Sequence, residues 1–340
     1  MKPFVVRPTE ERDLKDLKSL AASIKGLTTL PDDEAILNDK ISDSLRAFNP
    51  HVRKPGGEAY LLVIEDLDKS CVIGTSGIVS KVGGFDPFYS YKIKTEHLEC
   101  DALNVKKDVK VLHLATNHNG PTEIGSLLVN PSYRKHGLGR LVSLSRFLFM
   151  AEFPKRFDKT VISELRGVVD AQSESPFWEC VGKHFFDTDF YSADHLTGMG
   201  NKEVIASLMP KYPIYLELLP KAAQEVVSNV HKDTQPAKML LEHEGFAFHD
   251  EVDIFDAGPT VTATLKNIRS VKLSKKAKVV RIPETEIAGD THLISNARLS
   301  FRCVQSGLRE RSDGTIEIDA KTAGILGVKA GDEVRYVEAK

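Results

Sequence analysis

The stretch Glu123–Met150, EIGSLLVNPSYRKHGLGRLVSLSRFLFM, constrains the fold more than any other part of the chain. A short apolar run (Ile124, Leu127, Leu128, Val129) predicts a buried strand. Asn130, Pro131 and Ser132 break it, and Arg134, Gly137 and Gly139 follow with the spacing R-x-x-G-x-G. An amphipathic helix is expected next, with Leu138, Leu141, Val142, Ser145, Leu148 and Phe149 on one face. A strand, a glycine loop and a helix N-terminus make an anion cradle. The glycines let the backbone approach a ligand, the first helical N–H groups point at it, and the helix dipole adds positive potential. Arg134, Lys135, His136 and Arg140 surround the loop with groups that are or can become cationic. The expected ligand therefore carries phosphates. A Rossmann fingerprint would space the glycines differently and a Walker loop would need G-K-[ST], so neither applies. Taken alone, the loop also fits a plain strand-to-helix turn.

With 340 residues there is room for two domains, or for one large domain with an appendage. A chain that is 41% hydrophobic and 28% charged fits an ordinary soluble globular protein. The formal net charge of −2 argues against a general nucleic-acid or membrane-surface binder. No apolar run approaches the length of a membrane span. The N-terminal MKPFVVRPTEERD turns charged too early for a secretory signal. Cys71, Cys100, Cys180 and Cys303 are scattered and form no C-x-x-C pair. They are expected to be reduced thiols in a cytoplasmic protein, with no metal site among them.

In chain order, Phe4 to Val6 predict a first strand. Thr9 is the expected cap of a helix carrying Leu14, Leu17, Ala21 and Ile24, which Gly26 ends. Leu27 to Leu30 form a turn, and Pro31 suits the first position of a second helix. That helix is expected to bury Ile36 or Leu37, Ile41, Leu45 and Phe48. AYLLVIED and CVIGTSGIVSKV predict two strands joined around Asp68 and Lys69. A polar stretch from Gly83 to Lys110 precedes a short strand at Val111–Leu114. After the central helix, TVISELRGVV predicts a strand parallel to Glu123–Val129. SPFWECVGKHFF predicts a proline-started helix and an aromatic strand, and QPAKMLLEHEGFAF has the same shape. The pairing leaves open a duplication into related halves, about 1–190 and 191–271. NKEVIASLMP and PKAAQEVVSNV read as helical, separated by KYPIYLELLP, and VDIFDAGPTVTATL as further strand. Beyond Lys272, short strand-like runs with few helical patterns predict a small β-rich C-terminal domain over 272–340. LGVKAGDEV reads there as a hairpin turn, and assembly or lid formation is the expected role.

The order of strand, two helices and a strand meander before R-x-x-G-x-G resembles the GNAT-type acyl-CoA N-acyltransferases. That resemblance implies an α+β fold over 1–271, a mixed sheet flanked by helices. It also implies that the loop amides of Arg134, Lys135, Gly137, Gly139 and Arg140 bind a coenzyme A pyrophosphate. The preceding strand would open away from its neighbour and hydrogen-bond the pantetheine arm. More specifically, LSRFLFMAEF, SELRGVVD, SPFWECVGKHFF, KEVIASLMPKYPIY, VHKDTQPAKMLLEHEGF and VDIFDAGPT resemble the arginine N-succinyltransferase family, which includes arginine/ornithine succinyltransferase subunits. The resemblance runs along most of the chain and is weakest over the C-terminal domain. It implies succinyl transfer from succinyl-CoA, as co-substrate without a metal, to the α-amine of L-arginine, the first step of an arginine degradation route. It carries the family's proton donor onto His231 and its succinyl-CoA contact onto Leu127. Lys232 stands where the family usually has a proline after that histidine. A homodimer or a hetero-oligomer with a homologous subunit is the implied assembly.

Taken by itself, His231 is one loop histidine among eleven. Imidazole titrates near neutrality and can serve an acyl transfer, in which an amine loses a proton, an oxyanion develops and a thiolate departs. Leu127 and Val129 would use backbone groups toward pantetheine while their side chains enter the core. Glu123 is a lesser candidate base. Glu164, Arg166 and Asp170 are the candidate substrate-binding residues. An Arg suits a carboxylate by a bidentate pair and an acid suits a guanidinium, while a Glu164–Arg166 ion pair is the structural alternative. No Cys or Ser stands in a nucleophile motif, so direct transfer is expected. Two other functions stay open: a partner subunit with little activity of its own, and an acetyl-CoA-dependent enzyme acting on another amine.

Overall fold

Runs of β-branched and aromatic residues build one mixed sheet that extends through the molecule. The computed structural model describes residues 3–23, 30–85, 87–170, 174–190, 192–193 and 207–339. Within it lie β1 (Phe4–Pro8), β2 (Ala59–Asp66), β3 (Cys71–Val79), β4 (Phe88–Cys100), β5 (Val105–Asn117), β6 (Thr122–Val129), β7 (Thr160–Glu164) and β8 (Ile214–Tyr215). They are followed by β9 (Ala247–Val252), β10 (Pro259–Thr264), β11 (Lys275–Arg281), β12 (Thr291–Asn296), β13 (Cys303–Gly307), β14 (Arg309–Glu310), β15 (Ile316–Glu317) and β16 (Glu333–Glu338). The order across the sheet is β14-β15-β11-β16-β12-β13-β1-β2-β3-β6-β7-β10-β9-β4-β5-β8. All the named neighbours are antiparallel except β6–β7 and β11–β15, which are parallel. The segment 207–271 thus adds β8, β9 and β10 to the same sheet as β1–β7.

Alternation along β2 assigns the two faces. Leu61 and Val63 pack with Leu17, Leu20, Leu37 and Ile41 of α1 (Leu14–Ala22) and α2 (Glu34–Ala47). Tyr60, Leu62 and Ile64 pack with α3 (Leu138–Glu152) on the opposite face. β1 is tied to this frame by Arg7. Its guanidinium is 2% exposed and donates from Nε to Glu65 at 2.6 Å and in bidentate fashion to Asp13 at 2.8 Å.

Several local expectations need correction. α2 begins at Glu34 rather than Pro31, because the Asp33 carboxylate accepts from the N–H groups of Ala35 and Ile36 and caps it. Leu45 is exposed, and Ser44 and Ala47 take the buried face instead. Thr9 is not the helix cap; Glu10 and Asp13 form a capping box on the short 3-10 turn Glu11–Asp13 before α1. The polar stretch from Gly83 is a long hairpin, β4–β5, whose outer half faces solvent on both sides and so lacks apolar alternation. KHFF is a short helix (Lys183–Phe186), not a strand. The expected end of α1 at Gly26 and most of NKEVIASLMP lie outside the described residues.

α3 is buried nearly all round, not along one face. Residues 275–339 add the β14-to-β13 part of the sheet beyond β1, joined at Val6↔Cys303. Leu293, Phe301, Cys303 and Val337 cover the second side of α3 and share its core. That cover explains why LVSLSRFLFM is apolar in every direction. Val279, Ile294, Val304, Ile316, Leu326 and Val334 form a further core in this part. The segment LGVKAGDEV begins as the end of a helix, Ala320–Leu326, which Asp319 caps and Gly327 terminates, so it is not a hairpin turn. Among the described residues, no helix is long and apolar enough to cross a membrane.

Candidate active site

The cradle takes its shape from β6, the 3-10 turn Pro131–His136 and the start of α3. Asn130 Oδ1 accepts from Ser132 N at 3.0 Å and from Ser132 Oγ at 2.7 Å, which turns the chain sharply after the strand. Tyr133 anchors the turn: its hydroxyl donates to Asp66 at 3.2 Å, accepts from Lys69 Nζ at 2.7 Å, and its ring packs edge-on to Phe4. Gly137 takes φ 72°, a left-handed conformation that a side chain adopts only with strain. A Cβ at Gly137 or Gly139 would meet nothing within 4 Å, so the helix N-terminus opens onto free space. Arg140 N already donates to Gly137 O at 3.1 Å, so the N–H groups ahead of it, at Leu138 and Gly139, are the ones helix geometry leaves for a ligand.

β6 and β7 pair only at Thr122↔Val161 and Glu123↔Ile162. Beyond Glu123, β6 keeps its ladder with β3 but bulges between Thr75 and Gly77, with Ser126 at φ 49°. Arg146 holds this bulge from below. It is 2% exposed and donates to Gly125 O at 3.3 Å, to Ser143 O at 3.0 Å and to Ser143 Oγ at 2.8 Å. Burial lowers its pKa, but a guanidinium stays charged even so. Leu127 and Val129 lie on the splayed part of β6, with Leu127 packed at the edge of the core and Val129 buried within it.

The end of β7 gathers the remaining candidate residues, Glu164, Arg166 and His231. Two segments close on it. The turn 253–258 is held by Asp253 Oδ1, which accepts from Phe255 N at 2.7 Å and Asp256 N at 2.8 Å. Asp256 accepts from Gly167 N at 2.6 Å and from Gly258 N at 2.8 Å, and Leu165 N donates to Pro259 O. The second segment, 228–231, pairs Val230 with Gly167, and His231 N donates to Arg166 O at 2.9 Å. Ser228 N also donates to Ala257 O at 2.9 Å, linking the two segments. Both of those residues have positive φ, 62° and 53°. Such strain of about 1–3 kcal/mol each persists where surrounding structure over-determines it, often at functional sites.

Glu164 lies at the centre of this closure. One oxygen, Oε1, is sealed from solvent and has no hydrogen-bond partner. Burial first, then the charges of Asp253, Glu123, Asp256 and Glu251, push its carboxyl well above the usual range. Among the described residues no ion pair joins it to Arg166, so the structural alternative for these two is not realised. An unfolded chain releases the Glu164 proton near the ordinary Glu pKa, while the folded chain holds it to higher pH. Stability should therefore fall as pH rises above about 4.5, by up to about 1.4 kcal/mol per unit, until the folded group itself ionises. Glu164→Gln should remove that fall. Melting temperatures of both proteins at pH 5 and pH 8 check this, and equal pH slopes would contradict it.

His231 is 13% exposed at its side chain. Its Nδ1 accepts from Asp233 N at 3.2 Å, capping the 3-10 turn Lys232–Thr234. A ring whose Nδ1 accepts carries its proton on Nε2 when neutral. Burial, then the positive charge of Arg166, lower its pKa; Asp233 acts the other way. The neutral Nε2–H tautomer is thus the favoured state near neutral pH. Asp170 is exposed, and its Oδ1 accepts from Glu174 N at 3.0 Å.

Against known proteins, the family model described as arginine N-succinyltransferase beta subunit matches residues 4–270, and the model for that subunit's C-terminal domain matches 275–338. The chain belongs to the arginine N-succinyltransferase beta subunit family. Within that family, the arginine N-succinyltransferase of Yersinia pseudotuberculosis serotype O:3 is 40% identical over 341 residues, covering 98% of this chain and 97% of the relative. That of Citrobacter koseri is 42% identical over 335 residues, again with 98% and 97% covered. The solved structure of arginine/ornithine succinyltransferase subunit AI from Pseudomonas aeruginosa superposes with TM-score 0.90 at 35% identity and 100% coverage of both chains. The family membership is therefore as the sequence resemblance implied, and the mixed sheet flanked by helices is the α+β architecture it implied. Sequence reading did not single out Asp253 or Thr260, although VDIFDAGPT contains both, Thr260 as its last residue.

Proposed function

We propose that this chain transfers a succinyl group from succinyl-CoA to the α-amine of L-arginine. The observation that supports this most is the convergence of His231, Arg166 and Glu164 at the end of β7, beside strands that splay where an acyl-CoA arm would run. Arg134, Lys135, Gly137, Gly139 and Arg140 contribute the pyrophosphate loop, and Leu127 and Val129 the backbone groups for pantetheine. Glu164 receives the guanidinium, Arg166 the α-carboxylate, and Asp170 belongs to the rim of the same acceptor site.

In the reaction, the acceptor ammonium loses a proton and its nitrogen attacks the thioester carbonyl. The C–N bond forms, the C–S bond breaks, one proton leaves to solvent and one ends on sulfur. A thiol of pKa near 8.5 needs little acid assistance, so a hydrogen bond to the departing sulfur suffices. His231, with its proton held on Nε2, supplies that bond without having to be cationic. Neutral histidines held by N–H groups act as electrophilic donors in this way.

Incubation of the purified chain with succinyl-CoA and L-arginine, followed by mass spectrometry, tests the reading. A succinyl group on the α-nitrogen is expected. Unmodified arginine beside another acylated amine would overturn it. A folded chain that binds succinyl-CoA yet turns over only with a homologous subunit would favour the partner-subunit reading, since the Pseudomonas relative is itself a subunit of arginine/ornithine succinyltransferase. Gly137→Trp is expected to raise the KM for succinyl-CoA by about tenfold or more with a smaller change in kcat, about 1.4 kcal/mol of lost ground-state binding. Initial rates against donor concentration measure it, and an unchanged KM would move the pyrophosphate elsewhere.

A further inference from the structure

We infer that Asp253 and Thr260 are specificity-determining residues, which with Glu164 form a receptor for a planar guanidinium on the acceptor's side chain. The inference rests on the succinyl-transfer reading for the identity of the acceptor, but on the geometry of β7, β10 and the turn 253–258 for the receptor.

Thr260 lies directly opposite Glu164 in the β10–β7 ladder, so the two side chains share a face of the sheet. Val261, next to Thr260, and Val161, three residues before Glu164 on β7, turn to the other face and join the α3 core. Thr260 is 1% exposed, and its Oγ1 has no hydrogen-bond partner. Glu164 Oε1 is in the same condition. Two sealed, unpartnered oxygens from facing residues are a departure from ordinary interiors, where buried polar atoms find partners. Each of these oxygens can accept, so one bound group carrying several N–H donors would satisfy both, with Glu164 giving up its proton to a bound cation.

The surrounding charge names the kind of donor. The groups that act on Glu164 are Asp253 and Asp256 from the turn, Glu123 from β6 and Glu251 from β9, all carboxylates. Glu251 already accepts from Ser90 Oγ at 2.6 Å, and Asp256 from two backbone N–H groups. Asp253 acts most strongly on Glu164 among them, and its position is fixed by the turn it caps. A cation that brings several N–H donors in one plane satisfies both carboxylates and the hydroxyl together, and a guanidinium has five such donors in a rigid fork.

The test compares L-arginine with L-citrulline, whose neutral urea has nearly the same shape, as acceptors in succinyl-CoA-dependent thiol release. Wild-type chain should favour arginine by about a hundredfold or more in kcat/KM, as expected when a mismatched side chain leaves buried groups unpaired. Asp253→Asn keeps the turn, because an amide oxygen can accept the same two N–H groups. It should lower kcat/KM for arginine by about 10–100-fold, through KM, and leave citrulline unchanged. Thr260→Val, which removes only the hydroxyl, should cost arginine about tenfold. Equal losses with both acceptors would mean a purely structural role and would overturn the inference, as would an unchanged ratio. If wild type turns over neither acceptor, the acyl-transfer reading fails instead. Calorimetric binding of arginine and citrulline to the folded chain then decides the receptor separately: arginine preference lost in Asp253→Asn upholds it, and no preference overturns it.

Discussion

His231→Ala is expected to lower kcat by about 10²–10³-fold while KM for both substrates changes little, the pattern of a donor used mainly at the transition state. The fold should tolerate the change, since the ring caps a turn of only three residues. His231→Asn offers an oxygen to Asp233 N and an N–H on the other side, so it should recover part of the lost rate. The pH profile gives an independent reading. The histidine pKa is lowered, and the neutral ring is the working form, so the histidine-dependent loss of rate should appear below pH 6.5 and be absent in His231→Ala. Stopped-assay rates from pH 5 to pH 8 with wild type, alanine and asparagine variants check all three points. A loss confined to KM would assign His231 to binding.

Gly258→Ala is expected to cost about 1–3 kcal/mol of stability and about a hundredfold in kcat/KM. A Cβ at Gly258 would stand 2.1 Å from Leu165 O and 2.6 Å from Gly167 N, both backbone atoms at the end of β7. Neither can yield as a flexible side chain could. The turn bearing Asp253 would have to retreat from Glu164, and Ser228, bonded to Ala257, would shift with it toward His231. Denaturant melts report the first effect and initial rates the second. A variant that loses stability but keeps full kcat/KM would separate this crossing from the site's geometry.

The cradle was legible because each of its parts has a local signal: an apolar run, an Asn-Pro break, glycines at fixed spacing and a helical pattern. The parallel pairing of β6 with β7 followed from their sequence order around α3. Other parts left no local trace. The outer half of β4–β5 is wet on both faces, so its strands have no alternation to read. The second buried face of α3 depends on strands more than a hundred residues away in sequence, and its all-round apolar character looks amphipathic only when one face is sought. His231 stood out by family resemblance alone, since a polar loop histidine has no pattern of its own. Thr260 reads as an ordinary strand residue, and its role exists only because β10 sets it against Glu164. Local patterns thus made the glycine loop readable, whereas the facing of Thr260 and Glu164 exists only through tertiary pairing.

The most direct measurement is thiol release by the purified chain with L-arginine and either succinyl-CoA or acetyl-CoA. Turnover with succinyl-CoA that greatly exceeds turnover with acetyl-CoA, and that collapses in His231→Ala, is the predicted result. Turnover with acetyl-CoA alone, or an undiminished rate in His231→Ala, would contradict a succinyl transfer carried out at the end of β7.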